Sequence, residues 1–359
     1  MTLSPFSVLC LLLLLAFPAL TACGAGSQPI SVDYENEGSL RFTGHIIEDD
    51  EGVQSSTGSW EFWYPDGTLQ VRGRFENGAV LGPEQLLSTH TVVPELGREG
   101  KWAGYLSGKG RHWEGKYRDG KREGVFNFWY RNGQMRLQAQ FENGLEEGEY
   151  RSYFGDGVLA STGAYDKGRR NEHHAIYSKD GQLLEEGDWD LGQRVGLHRI
   201  WDEYGILREE SVYRRGLLGG LRSVWDDEGN TLLMAMYRAG KAHGQFTSFY
   251  PNGRKKMFGV YEDGMREGVH VGWSYSGEKQ YELEYVDGEP SGVLTTLFAG
   301  GEKASEGALE NGLAVGTHKV WSDSGELMAE VKYGGSPTGV DGAWRFWRAP
   351  IQTSADSPR

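Results

Sequence analysis

Four histidines, His174, His198, His270 and His318, recur at one position of a 24-residue period, and imidazole is a common ligand of zinc and copper. Two other groups have the type for chemistry. Cys23 offers a thiol, and the adjacent carboxylates Asp49-Asp50 and Asp226-Asp227 could divide the acid and base roles of glycoside hydrolysis. Positioning weighs against each of them. Equivalent positions in successive two-strand units stand about 10 Å apart at Cα, too wide for tetrahedral sharing of an ion, and Arg222, Phe246 and Leu294 interrupt the histidine column. Half-exposed strand histidines are expected instead, with His173 on the opposite face from His174 because adjacent strand residues diverge. The carboxylate pairs need a cleft, which a single-layer sheet does not supply. The chain lacks G-x-S-x-G, H-E-x-x-H and Walker motifs, and its many Gly-x-x-Gly spacings open no helix. No catalytic residue, cofactor or metal is therefore expected, and the chain reads as a non-enzyme.

Glycine dictates the elements that carry these residues. One column runs unbroken from Gly133 to Gly325; a second runs from Gly120 to Gly312; a third runs Gly124, Gly148, Gly196, Gly220, Gly244, Gly268, Gly292 and Gly316, broken at Glu172 and Val340. Gly58, Gly67 and Gly78 repeat the spacing upstream. Many of these glycines follow Asn or Asp, as in Asn132-Gly133, Asn143-Gly144 and Asp263-Gly264, the pairs that tolerate positive φ and close hairpins. Segments of fewer than ten residues rich in Trp, Tyr, Phe and Val lie between them. They are too short for stable helices and suited to strands, so each unit is expected to be two strands and two turns.

Aromatics form two further columns. One includes Trp63, Trp129, Tyr153, Trp201, Trp225 and Trp273; the other includes Phe75, Tyr117, Phe141, Trp189, Tyr261 and Tyr333. Two residues before the second column stands a small residue, such as Gly73, Gly115, Ala139, Gly163, Gly187 or Gly259. A ring laid over such a position lets one sheet bury apolar surface without a second layer. The fold class expected is all-β: an elongated, open-ended, solenoid-like single-layer antiparallel sheet of about twelve tandem 24-residue hairpins, on the order of 100 Å long.

The runs GVFNFWYRNGQMRLQAQFENGLEEG, from Gly124 to Gly148, and GQFTSFYPNGRKKMFGVYEDGMREG resemble the bacterial variant of the MORN repeat. The resemblance covers most of the chain after the first 22 residues and implies the hairpin array described above. It also implies kinship with the YwqK-type antitoxin-like repeat family of polymorphic toxin systems, while eukaryotic MORN proteins are described as scaffolds or lipid-contacting modules. Residues 83 to 99 depart from the pattern, with two prolines and no glycine before Gly97.

The amino terminus speaks to location. Val8 to Leu20 is an apolar stretch too short to span a bilayer as a helix and suited to a signal-peptide core, although Met1 to Ser7 contains no Lys or Arg. It ends in Leu20-Thr21-Ala22-Cys23, which resembles a bacterial lipobox. That implies cleavage before Cys23, acylation of its sulfur and loss of Cys10, leaving no intrachain disulfide. Gly24 after the cysteine resembles the pattern sent to the outer membrane. The expected organisation is a signal peptide over 1–22, an acylated cysteine with a flexible tether over 23–33, a repeat array over 34–348 and a disordered tail over 349–359.

With 37 basic against 51 acidic residues the formal charge is −14, which argues against nucleic acid and anionic lipid surfaces. Membrane contact is expected only through the lipid on Cys23. The function expected is that of a noncatalytic, exported, lipid-anchored interaction scaffold with a protein partner. The competing expectations are an antitoxin or immunity protein that covers a toxin, and binding of cell-wall glycan by exposed rings.

Overall fold

A computed structural model of the full chain describes residues 26–34, 40–52, 54–78, 93 and 95–334. All regular structure among them is β, and the chain divides into two compact units, Met1–Lys121 and Arg122–Arg359. In the first, β1 (Gln28–Asp33), β2 (Leu40–Glu48), β3 (Gln54–Trp63), β4 (Leu69–Gly78), β5 (Arg98–Tyr105) and β6 (Arg111–Arg118) pair antiparallel in sequence order. In the second, β7 (Lys121–Trp129), β8 (Met135–Glu142), β9 (Leu145–Tyr153) and the strands that follow, through β24 (Leu327–Gly334), likewise pair antiparallel in sequence order. The expected all-β array of antiparallel hairpins is what the chain forms.

The three glycine columns mark three places per repeat where the backbone enters positive φ, Gly220 excepted. In the first, Arg131-Asn132-Gly133 close a three-residue hairpin: the Gly133 N–H donates to Tyr130 O (3.0 Å), the Tyr130 N–H to Gln134 O (2.8 Å), and Gly133 sits at φ 85°. In the second, Glu142 pairs with Leu145 across Asn143 (φ 52°) and Gly144 (φ 90°). Two positive φ values in a two-residue loop define a type I′ turn, whose twist matches that of the flanking strands. The Gly144 N–H then reaches back to Arg122 O at 2.9 Å, a bond repeated every 24 residues as far as Gly312 N–H to Pro290 O. Successive turns are thereby laced to one another along the sheet margin.

The third column, which the sequence left without an assignment, is a β-bulge. Ala139 pairs with Tyr150 and Phe141 with Glu146, so Glu147, Gly148 and Glu149 oppose the single residue Gln140, and Gly148 takes φ 80°. Such a bulge bends the strand and increases its twist. Glu172 occupies the same site at φ 60° with a full side chain.

Two boundaries differ from expectation. Gln28–Asp33, expected within a flexible tether, is β1 and pairs with residues 40–46 of β2; its alternating exposure, with Ile30 and Val32 turned inward, gives it the half-buried edge that stabilises a strand. The irregular stretch expected over 83–99 ends earlier, because Arg98 and Glu99 already belong to β5 and pair with Phe75 and Arg74. Residues 83–92 and 94 lie outside the described residues, as do Cys23, the signal segment 1–22 and the tail 349–359.

Leu191 stands at the first position of a type I′ turn at φ 46°, where Asn143 and Asn311 stand elsewhere, and it is largely exposed. A leucine there bears the Cβ–carbonyl repulsion of left-handed backbone that Asn relieves. Leu191→Asn is expected to raise unfolding free energy by about 1 kcal/mol, measured as a higher urea midpoint; an unchanged or lower midpoint contradicts the turn assignment.

Candidate interaction surfaces

Strand alternation gives each unit two faces with different fates. On the packed face, the ring over a small residue belongs to the following strand. Trp60 covers Gly44, Trp102 covers Gly73, His174 covers Gly163, His198 covers Gly187, His270 covers Gly259 and His318 covers Gly307; a Cβ at any of these glycines would fall within the ring. The two ring-bearing columns interleave edge to face: Phe75 with Trp102 (centroids 4.9 Å, 74°), Tyr165 with His174 (5.5 Å, 83°), Trp189 with His198 (5.8 Å, 77°) and His270 with Tyr285 (4.9 Å, 67°). Such contacts add about 0.5–1.5 kcal/mol per pair beyond area burial. Arg98, Arg122, Arg170, Arg194 and Arg266 lay guanidinium groups over these rings at 4.9–5.4 Å, extending the covered surface by a cation–π contact.

The histidine column is therefore core. His174, His198, His270 and His318 are 9, 4, 1 and 3 % exposed, which corrects the expectation of half-exposed strand histidines. They occupy the position that Trp60, Trp102 and Phe126 fill upstream. The Trp102 Nε1–H donates to Arg74 O (3.1 Å), and the Nε2 atoms of the four histidines meet the carbonyls of Ala164, Asp188, Val260 and Ala308 at 2.8–2.9 Å. A carbonyl only accepts, so each imidazole carries its proton on Nε2 and acts as a compact aromatic with one donor. Trp189 stands between His174 and His198, and the described residues contain no group of three or more His, Cys, Asp or Glu placed to hold a metal.

Arg222 interrupts the ring column with a different solution. Its Nε and Nη2 both donate to the Glu209 carboxylate at 3.0 Å, and the Ser211 hydroxyl donates to the same group at 2.6 Å. Burial alone would raise the Glu209 carboxyl, but these hydrogen bonds outweigh it and hold it below the usual carboxylate range. The other candidate carboxylates do no comparable work. Asp226 is spent on its turn, accepting from the N–H groups of Glu228 (3.0 Å) and Asn230 (2.8 Å), while Asp227, Asp49 and Asp50 are exposed.

The opposite face carries the other aromatic column, half-buried, and a row that sequence reasoning missed. Register sets Arg199, Glu210, Ser223, Met234, Thr247, Phe258, Val271 and Glu282 directly opposite one another, strand after strand. The row is charged at both ends and uncharged between Ser223 and Val271. Only the 24-residue columns read in pairs could have revealed it, since each bulge alters the count between partners. At the margin of the first unit, the Glu76 N–H donates to Gly97 O (2.8 Å) and a Cβ on Gly97 would strike Gly78. The chain thus leaves and re-enters the sheet at one point on either side of the irregular segment.

Burial lowers the pKa values of His174, His198 and His270 from an ordinary value of about 6.5. The unfolded chain then takes up protons that the folded chain excludes, so this stability is complete above that value and is lost as pH falls through the lowered folded values. The urea midpoint is expected to drop between about pH 7.5 and 5.5, and His270→Phe to flatten that slope; a midpoint that is level or rises contradicts neutral core histidines.

The MORN repeat variant family model matches residues 56–77 and 122–143. No curated protein matches the chain. Solved structures with detectable likeness include the Photorhabdus luminescens Tc holotoxin pore carrying a TccC3-D651A mutation, 9 % identical over 85 % of this chain and 18 % of that one with a TM-score of 0.18. Another is the TcdB2–TccC3 complex, 10 % identical over 86 % and 18 % with a TM-score of 0.17. This chain spans under a fifth of either. The two family matches, one in each unit, run from β3 into β4 through the three-residue turn at Gly67 and from β7 into β8 through that at Gly133, and support reading these stretches as MORN repeat variants.

Proposed function

We propose that this protein is a noncatalytic interaction scaffold held at the bacterial cell envelope by a lipid on Cys23. The observation that carries the scaffold reading is the division of labour between faces. One face is consumed by ring-on-glycine packing, whereas the other repeats a regular grid of side chains whose chemistry changes from unit to unit. A partner reads such a grid as a flat, pre-ordered surface, with little conformational entropy left to lose on binding. Acidic charge keeps the array soluble and steers cationic partners toward it.

Two experiments test this. Cys23→Ser should move the protein from the membrane to the soluble fraction; unchanged fractionation contradicts the lipid anchor. Affinity capture from crosslinked envelopes of the native cell should enrich defined proteins over an unrelated acidic β-protein bait. Enrichment of a secreted toxin would support the neutralising form of the scaffold, and enrichment of nothing would contradict the scaffold itself.

A further inference from the structure

The stretch of the open face around the uncharged part of the row from Arg199 to Glu282, with Glu267 opposite Val260 and the Lys255 ammonium 5.8 Å from the Phe258 ring, is wide enough to be a site. Met234, Phe258 and Val271 on the central row are joined by Leu221 facing Met236, by Val260 and by Val269 on the adjacent row. Met234 and Met236 are 42 and 41 % exposed, and Val269 is 46 % exposed. Five strands at about 4.8 Å, with rows spread over about 14 Å, give a window on the order of 300 Å², the scale at which an apolar patch on a soluble protein is often functional. Methionine suits such a surface because its thioether chain adapts to a partner's contour.

The rims say what fits. On one side stand Glu186, Asp188 and Glu210 with Arg199, which bonds to Glu186 and Glu210 at 3.0 Å, and His173 beside Asp188 at 2.9 Å. On the other stand Glu282, Glu284 and Glu306, with Lys279 and Lys303 paired to Glu282 and Glu306. Each rim retains a surplus of negative charge over these pairs. A second copy would set acidic rims against acidic rims, and an anionic membrane would be repelled.

We infer that this window docks a protein segment bearing an apolar strip about 25 Å long with Lys or Arg at both ends, a chemistry met by an amphipathic helix of about 17 residues. This rests on the scaffold reading and narrows it to one surface and one class of partner. The contact is small, so affinity is of order 10–100 µM for one segment and falls as salt rises.

The test uses the full chain and two synthetic helical peptides of that length, both with leucine along one face, one with lysine and one with glutamate in the terminal turns, followed by fluorescence anisotropy. The lysine peptide should bind wild type and weaken at least about 10-fold with Met234→Gln/Met236→Gln or with Val269→Thr, a loss of about 1.4 kcal/mol. Val125→Gln, at the position equivalent to Val269 in β7 and equally exposed, should leave binding unchanged. Far-UV circular dichroism of each variant should match wild type, since the altered side chains are exposed. Absent binding at about 1 mM, equal binding of the glutamate peptide, or indifference to both window variants overturns the proposal. So does self-association, or flotation with phosphatidylcholine–phosphatidylglycerol vesicles, that the window variants abolish. If envelope proteins are captured equally by wild type and Met234→Gln/Met236→Gln, the scaffold reading stands and the window falls.

Discussion

A ring from one strand lying over the glycine of the strand before it is the contact on which each sheet depends. The described strands in each unit form a single antiparallel sheet, so apolar burial has to come from within the layer. A glycine opens a hollow one side chain deep, and a Trp, His or Tyr from the neighbouring strand fills it. Fully burying such a side chain contributes about 1.5–3 kcal/mol, and its edge then meets the next ring in the zigzag. Hollow and ring sit in the two strands of one type I′ hairpin, as Gly187 and His198 do, but the ring also packs edge to face on the strand that follows, His198 on Tyr213, so an isolated hairpin leaves one side of its ring uncovered. That is the physical reason the repeats must be stacked to be stable.

The same dependence explains the strictness of the period. Rings and hollows meet only if every bulge and every turn adds the same number of residues, and a slip of one would send each ring to the other face. The positive-φ sites enforce that count: the three-residue turn, the type I′ turn and the bulge each fix the path of the chain, and the Gly144-to-Arg122 type of backbone bond ties each turn to the preceding unit. Glu172 and Leu191 show that the geometry persists where the residue is unfavourable. Stacking therefore overrides local preference at those two sites.

Much of the fold was legible because its signals are local. Asn-Gly and Asp-Gly pairs announce hairpins, and the alternation of small residues with rings announces a covered face. What escaped was non-local. The histidines looked half-exposed because alternation assigns a face without saying what lies over it; only the glycine of the preceding strand shows that His198 is a core ring. The third glycine column had no local signature of a bulge, since a bulge is defined by the partner strand. Gln28–Asp33 was missed as a strand because its pairing with β2 carries no glycine mark. The row from Arg199 to Glu282 is formed of residues remote in sequence and becomes continuous only once register is known.

A division between a packed face and an open face limits where distinctiveness can reside. Substitutions on the packed face must preserve ring and hollow, whereas those on the open face are free to change chemistry from unit to unit. Arg222 is the instructive exception, where a bidentate ion pair to Glu209 replaces a ring without breaking the register. The most direct test of the central contact is a double-mutant cycle on Gly187 and His198. Gly187→Val should cost about 1–3 kcal/mol by forcing the ring aside, and much less in a His198→Ala background, giving a coupling of about 1 kcal/mol or more between the two sites. Additive costs would contradict the account that a ring seated on a glycine holds these sheets together.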